Sequence, residues 1–588
     1  MNRLWSIQQP MEIKNLSIDE LKSLAAEIRQ RILDIMAVNG GHLGSNMGVV
    51  ELTIALHHVF NSPIDRFIFD VSHQTYPHKI LTGRNSQFPT IRQNKGLSGF
   101  SHPDESEHDH FFAGHAATAI SLALGVAKAR DLNKESFHVL PIVGDATFTC
   151  GLALEALNNI PPHLKNFTIV LNDNKMSISN NVGAITSILD KQSQSFFEHY
   201  GLQYIGPIDG HNIEELLQAF QKIKKSDRPT LLHVLTVKGK GLEIAEENPV
   251  SWHGCSAFDK VTGEKVAKAS SNSSFSQIFG KHLLKMFEND PTLFAVTPAT
   301  PVGSCIIPIM ETYPERCIDV GIAEGHAVTY AGAVSSHPHC KVICCIYSTF
   351  LQRAFDNVFQ DVCLQQSPVV FAIDRGGIAS GDGATHHGIY DISFLNAMPN
   401  MAICQPRDGQ LLKELLESAF EWKRPTAIRY PNLGTEEPSL PIQKRSLGKG
   451  ETLVQGRDIA LVSLGHMNTT ALEVRALLLD KGISVTVIDP IFVKPLDEDL
   501  LYDLFMTHFY VATIEEHAVS CGLGAVINMF AIQNGFGDVL IRNFGIPDAF
   551  HHHGSYKEML QSFGLDASSI AQQILSDYAE IRPIPTQV

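Results

Sequence analysis

Apolar positions along this chain follow two rhythms. Short β-branched runs closed by turn formers predict buried parallel strands, and apolar residues recurring at i, i+3 and i+4 predict helices. A helix is predicted over 17–38, where Ser17 and Glu20 form a capping box. Leu21, Leu24, Ile28, Ile32 and Ile35 line one of its faces, and Gly40 and Gly41 stop it. A second helix follows from about Val50, then a strand to Val71 in FIFDV. The runs PIVGD and TIVLNDN read as two strands, with the helical stretch GLALEALNNI between them. After them come a strand, turn and helix in GLQYIGPIDGHNIEELLQAF, and a strand ending in a Gly-Lys turn in PTLLHVLTVKGKG.

The alternation restarts twice. SSNSSFS at 270–276 and LGTEEPSLPIQKRSLGKG at 433–450 read as linkers. Between and after them, TLFAVT, CIDVGI, KVICCIYSTF, SPVVFAID, MAICQ and PTAIRYP, then IALVSLG, SVTVIDP, FYVATIEEHA and VLIRNFGIP, read as strands. The expectation is an α/β protein of three doubly wound domains, 1–270, 276–432 and 450–588.

Composition narrows the function. Hydrophobic content of 44% and charged content of 18% are ordinary for a soluble α/β chain. A net charge of −16 and a pI near 5.9 argue against a nucleic-acid or acidic-membrane partner. The ten cysteines lack metal-ligand spacing, and Cys340, Cys344 and Cys345 fall in or beside a strand-like run, so buried reduced thiols are expected. MNRLWSIQQP lacks the basic-then-apolar order of a signal peptide, and no run approaches the roughly 18 apolar residues of a membrane span. A cytoplasmic protein is expected.

The candidate chemistry sits where strands end. Asp145 closes one strand; Asn172, Asp173 and Asn174 close the next. In open α/β sheets that edge binds ligands. One carboxylate, one amide oxygen and the Met176 carbonyl suit Mg2+, which shares its octahedron with phosphate oxygens and water. His42, His73 and His115 fall at glycine-rich junctions or helix starts, a pattern pointing to one shared pocket. Glu324 lies at a strand-to-helix turn. The last third shows no comparable constellation. Glu515, Glu516 and His517 end a strand and the histidines 551–553 could suggest a metal, but solvated loop is the expected reading there, and that domain is assigned to subunit packing.

These motifs carry a resemblance. GD followed by NDN is similar to a thiamine-diphosphate and magnesium motif, and the acid of IAEGHA resembles a coenzyme-activating glutamate. GGHLGS, HQTYPHKILTGR, NDNKMSISNNVGA, YIGPIDGH, IYSTFLQRAFD, DGATHHGIYD and VKPLDEDL together resemble the 1-deoxy-D-xylulose-5-phosphate synthase family, which has a transketolase-like fold. The resemblance implies a diphosphate domain at 1–270 and a pyrimidine domain at 276–432, and a homodimer. It also implies condensation of pyruvate with D-glyceraldehyde 3-phosphate, with loss of carbon dioxide. By match, Asp145, Asn174 and the Met176 carbonyl hold magnesium. The cofactor meets His73, Gly114, His115, Ala116, Ala146, Thr147, Asn174, Leu242, Glu324 and Phe350. Glu324, His42, His73 and His386 serve catalysis. Arg92, Tyr347, Arg353, Arg375, Asp382 and His386 meet substrate, with Arg92, Asp382 and His386 holding the pyruvate adduct until the acceptor arrives.

The match has departures. Ala146 stands where the family has glycine, Ala116 and Ala117 where it has serines, Ser72 where it has glycine, Leu242 where it has an aromatic residue, and Gly325 where it has glutamine. Asn432 takes the place of a phosphate-binding arginine, which predicts acceptor binding weaker by about 1.5–3 kcal/mol. The segment 182–201 is short for the family, whose members carry a mobile segment there. A related thiamine-diphosphate ligase or transketolase with another acceptor, and a non-catalytic binding paralogue, therefore stay open beside the synthase.

Overall fold

The structure, a computed structural model, describes residues 3–266, 272–438 and 440–581. Its contacts divide the chain into two compact units, Met1–Ala269 with Gly321–Ala323, and Ser270–Val320 with Glu324–Val588.

In the first unit the capped helix is Ile18–Asn39. Glu20 returns a hydrogen bond to the Ser17 N–H at 2.8 Å, and Gly40 caps the end through Met36 O. Leu21, Leu24, Ile28 and Ile32 are fully buried, as their spacing predicts. Five strands follow: β1 (Arg66–Phe69), β2 (Val139–Gly144), β3 (Thr168–Asp173), β4 (Gln203–Asp209) and β5 (Thr230–Leu235). They are parallel throughout, in the order β1-β2-β3-β5-β4. β1 ends at Phe69, short of the predicted Val71.

Alternate strand residues bury against opposite layers. Leu140, Ile142, Val170 and Leu232 pack with helices Val50–Val59 and Ile213–Ile223. Val139, Val143, Ile169 and Leu171 pack with helices Ala119–Leu132 and Gly151–Asn158. Covering both faces leaves the strand ends as the open edge. The short segment after Val182 forms the helix Ala184–His199, bent at Gln192.

The second unit begins inside the expected linker. Residues 270 and 271 lie outside the described ones, but Ser274 already caps the helix Phe275–Asn289, and Phe275 and Ser276 are buried. The unit holds two sheets. Its strands are β6 (Leu293–Thr297), β7 (Cys317–Asp319), β8 (Lys341–Tyr347), β9 (Val369–Asp374), β10 (Ala402–Cys404), β11 (Thr426–Arg429), β12 (Glu451–Val454), β13 (Ile459–Ser463), β14 (Val485–Asp489), β15 (Phe492–Lys494), β16 (Tyr510–Ala518) and β17 (Leu540–Ile546). The orders are β15-β10-β11-β9-β8-β6-β7 and β12-β14-β13-β16-β17. β15 leaves the last sheet and pairs antiparallel with β10 of the other. One apolar cluster joins Val342, Cys344 and Ile403 to Val462, Ile488 and Val511.

β16 corrects the reading of its own sequence. Glu515, Glu516 and His517 are buried strand residues, not solvated loop. Residues 551–553 do lie in a loop, but His553 is buried. Among the described residues every cysteine is free, with Cys344 and Cys345 fully buried. Among them, too, no helix is long and apolar enough to cross a membrane.

Candidate functional site

Parallel pairing of β2 and β3 sets Gly144 opposite Asn172, so Asp145 and Asp173 emerge side by side at one sheet edge. Both are buried, and their carboxyl groups hydrogen-bond each other. Burial and the neighbouring Asp173 push the Asp145 carboxyl well above the carboxylate range. Burial also pushes Asp173 up, but His233 Nε2 at 2.8 Å and the Lys175 N–H outweigh it and hold Asp173 low. Asn181 Nδ2 donates to Asp145 Oδ2 at 2.6 Å, and Asn181 Oδ1, also buried, has no hydrogen-bond partner among the described residues.

Beyond β3 the chain turns tightly. The Met176 N–H donates to Asn174 Oδ1 at 3.0 Å, and Lys175 takes φ 63°. Lys238 Nζ donates to Ser177 O at 2.7 Å, and burial brings its pKa down to about 8. Among the described residues no three His, Cys, Asp or Glu side chains gather as a metal site. The donor set here is of another kind: a carboxylate, amide oxygens and a carbonyl. Two carboxyls forced together and an orphaned amide oxygen fit a hard divalent cation. Asn172 does not join them, because its amide bonds Gln74 and Thr236.

Asp70, which the sequence reading passed over, ties this edge together. It accepts from the Ala117 and Ala119 N–H groups at 2.9 and 3.2 Å and from the Thr147 hydroxyl at 2.7 Å. It thereby fixes the turn Gly114–His115–Ala116 beside the turn carrying Ala146. FIFD ends in an acid just as PIVGD does, so the signal was present.

His42 and His73 stand together, with ring centroids 5.6 Å apart, and His253 joins them at 5.8 and 5.3 Å. His253 is half-buried, and desolvation with the nearby Lys238 holds its pKa well below the histidine range. No periodicity marks SWHG, so sequence reasoning missed it. Arg92 borders the group, its Cδ 3.3 Å from where a Gly41 side chain would begin. His115 is half-buried in the loop before Ala119–Leu132. Leu242 is half-buried against the apolar cluster that includes helix Ile18–Asn39, Leu43 and Trp252.

In the second unit Glu324 opens the helix Glu324–Ser335 and is buried. Burial raises its pKa, only partly offset by Arg353, whose guanidinium is 3.9 Å away. Phe350 stacks on Tyr347 at 5.5 Å and meets His386 edge-on at 5.9 Å. The Arg375 guanidinium lies 4.0 Å over the Tyr347 ring, donates to Gly303 O at 3.0 Å and pairs with Asp374. Burial pushes the Tyr347 phenol up to about 12. Gly303 permits this packing: a Cβ there would sit 1.5 Å from Tyr347 Oη. Asp382 and His386 lie on the loop after β9. Arg429 is committed elsewhere, bonding Asp391, Gln405, Gly388 O and Glu516 O, while Asn432 is exposed.

A 1-deoxy-D-xylulose-5-phosphate synthase family model matches residues 4–195 and 189–236. Transketolase pyrimidine-binding and C-terminal domain models match 271–435 and 448–570. The chain is 48% identical to the 1-deoxy-D-xylulose-5-phosphate synthase of Chlamydia pneumoniae, over 97% of this chain and 96% of that one. This chain belongs to the 1-deoxy-D-xylulose-5-phosphate synthase family. It is thus a transketolase-like transferase of α/β, thiamine-diphosphate-binding fold. The synthase of Chlamydia trachomatis serovar L2 is also 48% identical, with 99% of this chain and 98% of that one aligned. A solved transketolase from Campylobacter jejuni shares 19% identity over 95% of this chain and 100% of that one, with a TM-score of 0.46.

Proposed function

We propose that this chain condenses pyruvate with D-glyceraldehyde 3-phosphate, releasing carbon dioxide and forming 1-deoxy-D-xylulose 5-phosphate for isoprenoid precursors. The observation that carries this reading is the buried carboxyl pair Asp145–Asp173 beside the orphaned Asn181 oxygen at the open sheet edge. Asp145, Asn174 and the Met176 carbonyl would hold Mg2+ there. The turns at Gly114–Ala116 and Ala146–Thr147 would border the diphosphate. When bound, thiamine diphosphate supplies the nucleophilic carbon and accepts the charge left as carbon dioxide departs.

The chain supplies proton handling and orientation. Glu324, whose pKa burial raises, would hydrogen-bond an aminopyrimidine nitrogen and exchange a proton with it. Phe350, braced by Tyr347, offers a flat face to that ring. His42 and His73 serve proton transfer, and His386 meets the substrate with Asp382. Arg353 and Arg375 offer guanidinium groups to carboxylate or phosphate, and Arg92 contacts the pyruvate-derived group. Residues 1–270, 276–432 and 450–588 act as diphosphate, pyrimidine and C-terminal domains of a cytoplasmic homodimer.

One observation favours a second reading. Asn432 carries no charge and Arg429 is spent on internal bonds, so acceptors lacking a phosphate lose less here. An acceptor screen with pyruvate as donor tests both. Product with glyceraldehyde 3-phosphate supports the synthase; product with unphosphorylated aldehydes alone supports a redirected ligase.

A further inference from the structure

The loop 376–388 follows β9 and carries Asp382 and His386. Its ends are held within its own sheet region, the Gly376 N–H donating to Tyr430 O at 2.9 Å and the Thr349 hydroxyl to Thr385 O at 2.8 Å, and two further fixed points come from the C-terminal part of the chain. The Ile378 N–H donates to Glu516 Oε1 at 2.6 Å, and the Gly554 N–H donates to Ser380 O at 2.8 Å. Gly377 has φ 118°, and a Cβ on it would lie 2.1 Å from Glu516 Oε1, so the loop is moulded onto that carboxylate.

Glu516 is itself held from behind. Its other oxygen accepts from His466 Nε2 at 2.7 Å and from the Tyr556 hydroxyl. Gln405 Nε2 lies 3.2 Å from His466 Nδ1, and its Oε1 accepts from Arg429. With its oxygen so engaged, Gln405 must present its amide N–H to Nδ1, which leaves the His466 proton on Nε2, facing Glu516. Burial raises the Glu516 pKa, but His466, Tyr556 and the Ile378 N–H outweigh it and keep the carboxylate charged. A buried charge with this many donors is a rigid anchor, and no chemistry above employs it.

We propose that Glu516, fixed by His466 and Tyr556, is a positioning residue that sets how loop 376–388 presents Asp382 and His386 to the substrate. The proposal rests on the reading that those two residues meet substrate. It gives the C-terminal sheet a part in the reaction beyond packing.

Tyr556→Phe removes one donor and almost no volume; Glu516→Gln removes the charge. Both are tested in the full chain loaded with Mg2+ and thiamine diphosphate. Amide exchange at Ile378 is expected to quicken roughly tenfold in Tyr556→Phe and further in Glu516→Gln. Pyruvate consumed per sugar phosphate formed should rise several-fold, while cofactor affinity stays at the parent value. Unchanged exchange in both variants overturns the anchor. Faster exchange with parental coupling overturns the positioning role, provided His386→Ala uncouples the reaction. If His386→Ala also leaves coupling intact, the assignment of His386 has failed and the proposal falls with it. Should Glu516→Gln not fold, Tyr556→Phe alone decides.

Discussion

Asn181 Nδ2 donates to Asp145 Oδ2 at 2.6 Å, and the amide's own oxygen is left over, buried at the same sheet edge. This is how a supporting residue orients a metal-binding carboxylate. Asn181→Ala should weaken Mg2+ binding about ten- to a hundredfold in the presence of thiamine diphosphate. Asp145→Asn should weaken it further. Titration calorimetry with the metal reads both, and parental affinity in both variants would sink the metal assignment.

Glu324→Gln should leave the chain folded and cofactor-loaded but nearly inactive. The amide cannot exchange a proton with the ring. Circular dichroism, cofactor binding and single-turnover kinetics together separate this from misfolding. Turnover at the parent rate would remove Glu324 from the relay.

Ser72 carries φ 66°, a region that favours glycine, and its hydroxyl accepts the Ser101 N–H at 2.8 Å. A side chain in that region costs roughly 1–2 kcal/mol; the hydrogen bond returns about 0.5–1.5 kcal/mol. Ser72→Gly should thus be close to neutral. Ser72→Ala, which keeps the strain and loses the bond, should be less stable than Ser72→Gly by about 1 kcal/mol or more. Urea unfolding of the two variants gives the order.

Asn432→Arg should lower KM for glyceraldehyde 3-phosphate by roughly ten- to a hundredfold through a charge-assisted bond to phosphate. KM for pyruvate should hold. No gain would place the acceptor phosphate elsewhere.

Glu515 titrates at about 7 rather than 4.5, because complete burial outweighs the Leu523 and Gly524 N–H groups it accepts. A raised carboxyl binds its proton more tightly in the folded chain. Its contribution to stability is therefore full below pH 4.5 and is lost as pH rises through 7. The loss is on the order of a few kcal/mol. Glu515→Gln should flatten the stability profile between those pH values, and an unchanged profile would mean that another group controls it.

Much of this was legible along the chain. The period of Leu21, Leu24, Ile28 and Ile32 located a helix face, and the acids ending PIVGD and TIVLNDN located the open sheet edge. Family motifs added Glu324 and the aromatic Phe350. The reading failed where a residue's partner comes from far along the chain. Glu515 and Glu516 are polar in sequence and buried in space, because a helix start, His466 and Tyr556 supply donors that no local pattern announces. β15 was missed for a similar reason: three residues make a strand only because β10 offers them an edge.

Local propensity and apolar period were enough to specify which segments become strands and helices, since those depend on neighbours a few residues away. Packing alone could establish that Asp145 is buried beside Asp173, that Arg429 is spent on internal bonds, and that Glu516 grips the loop of His386. Each of these is set by desolvation and by donors brought in from distant segments, quantities that have no value until the chain has closed on itself.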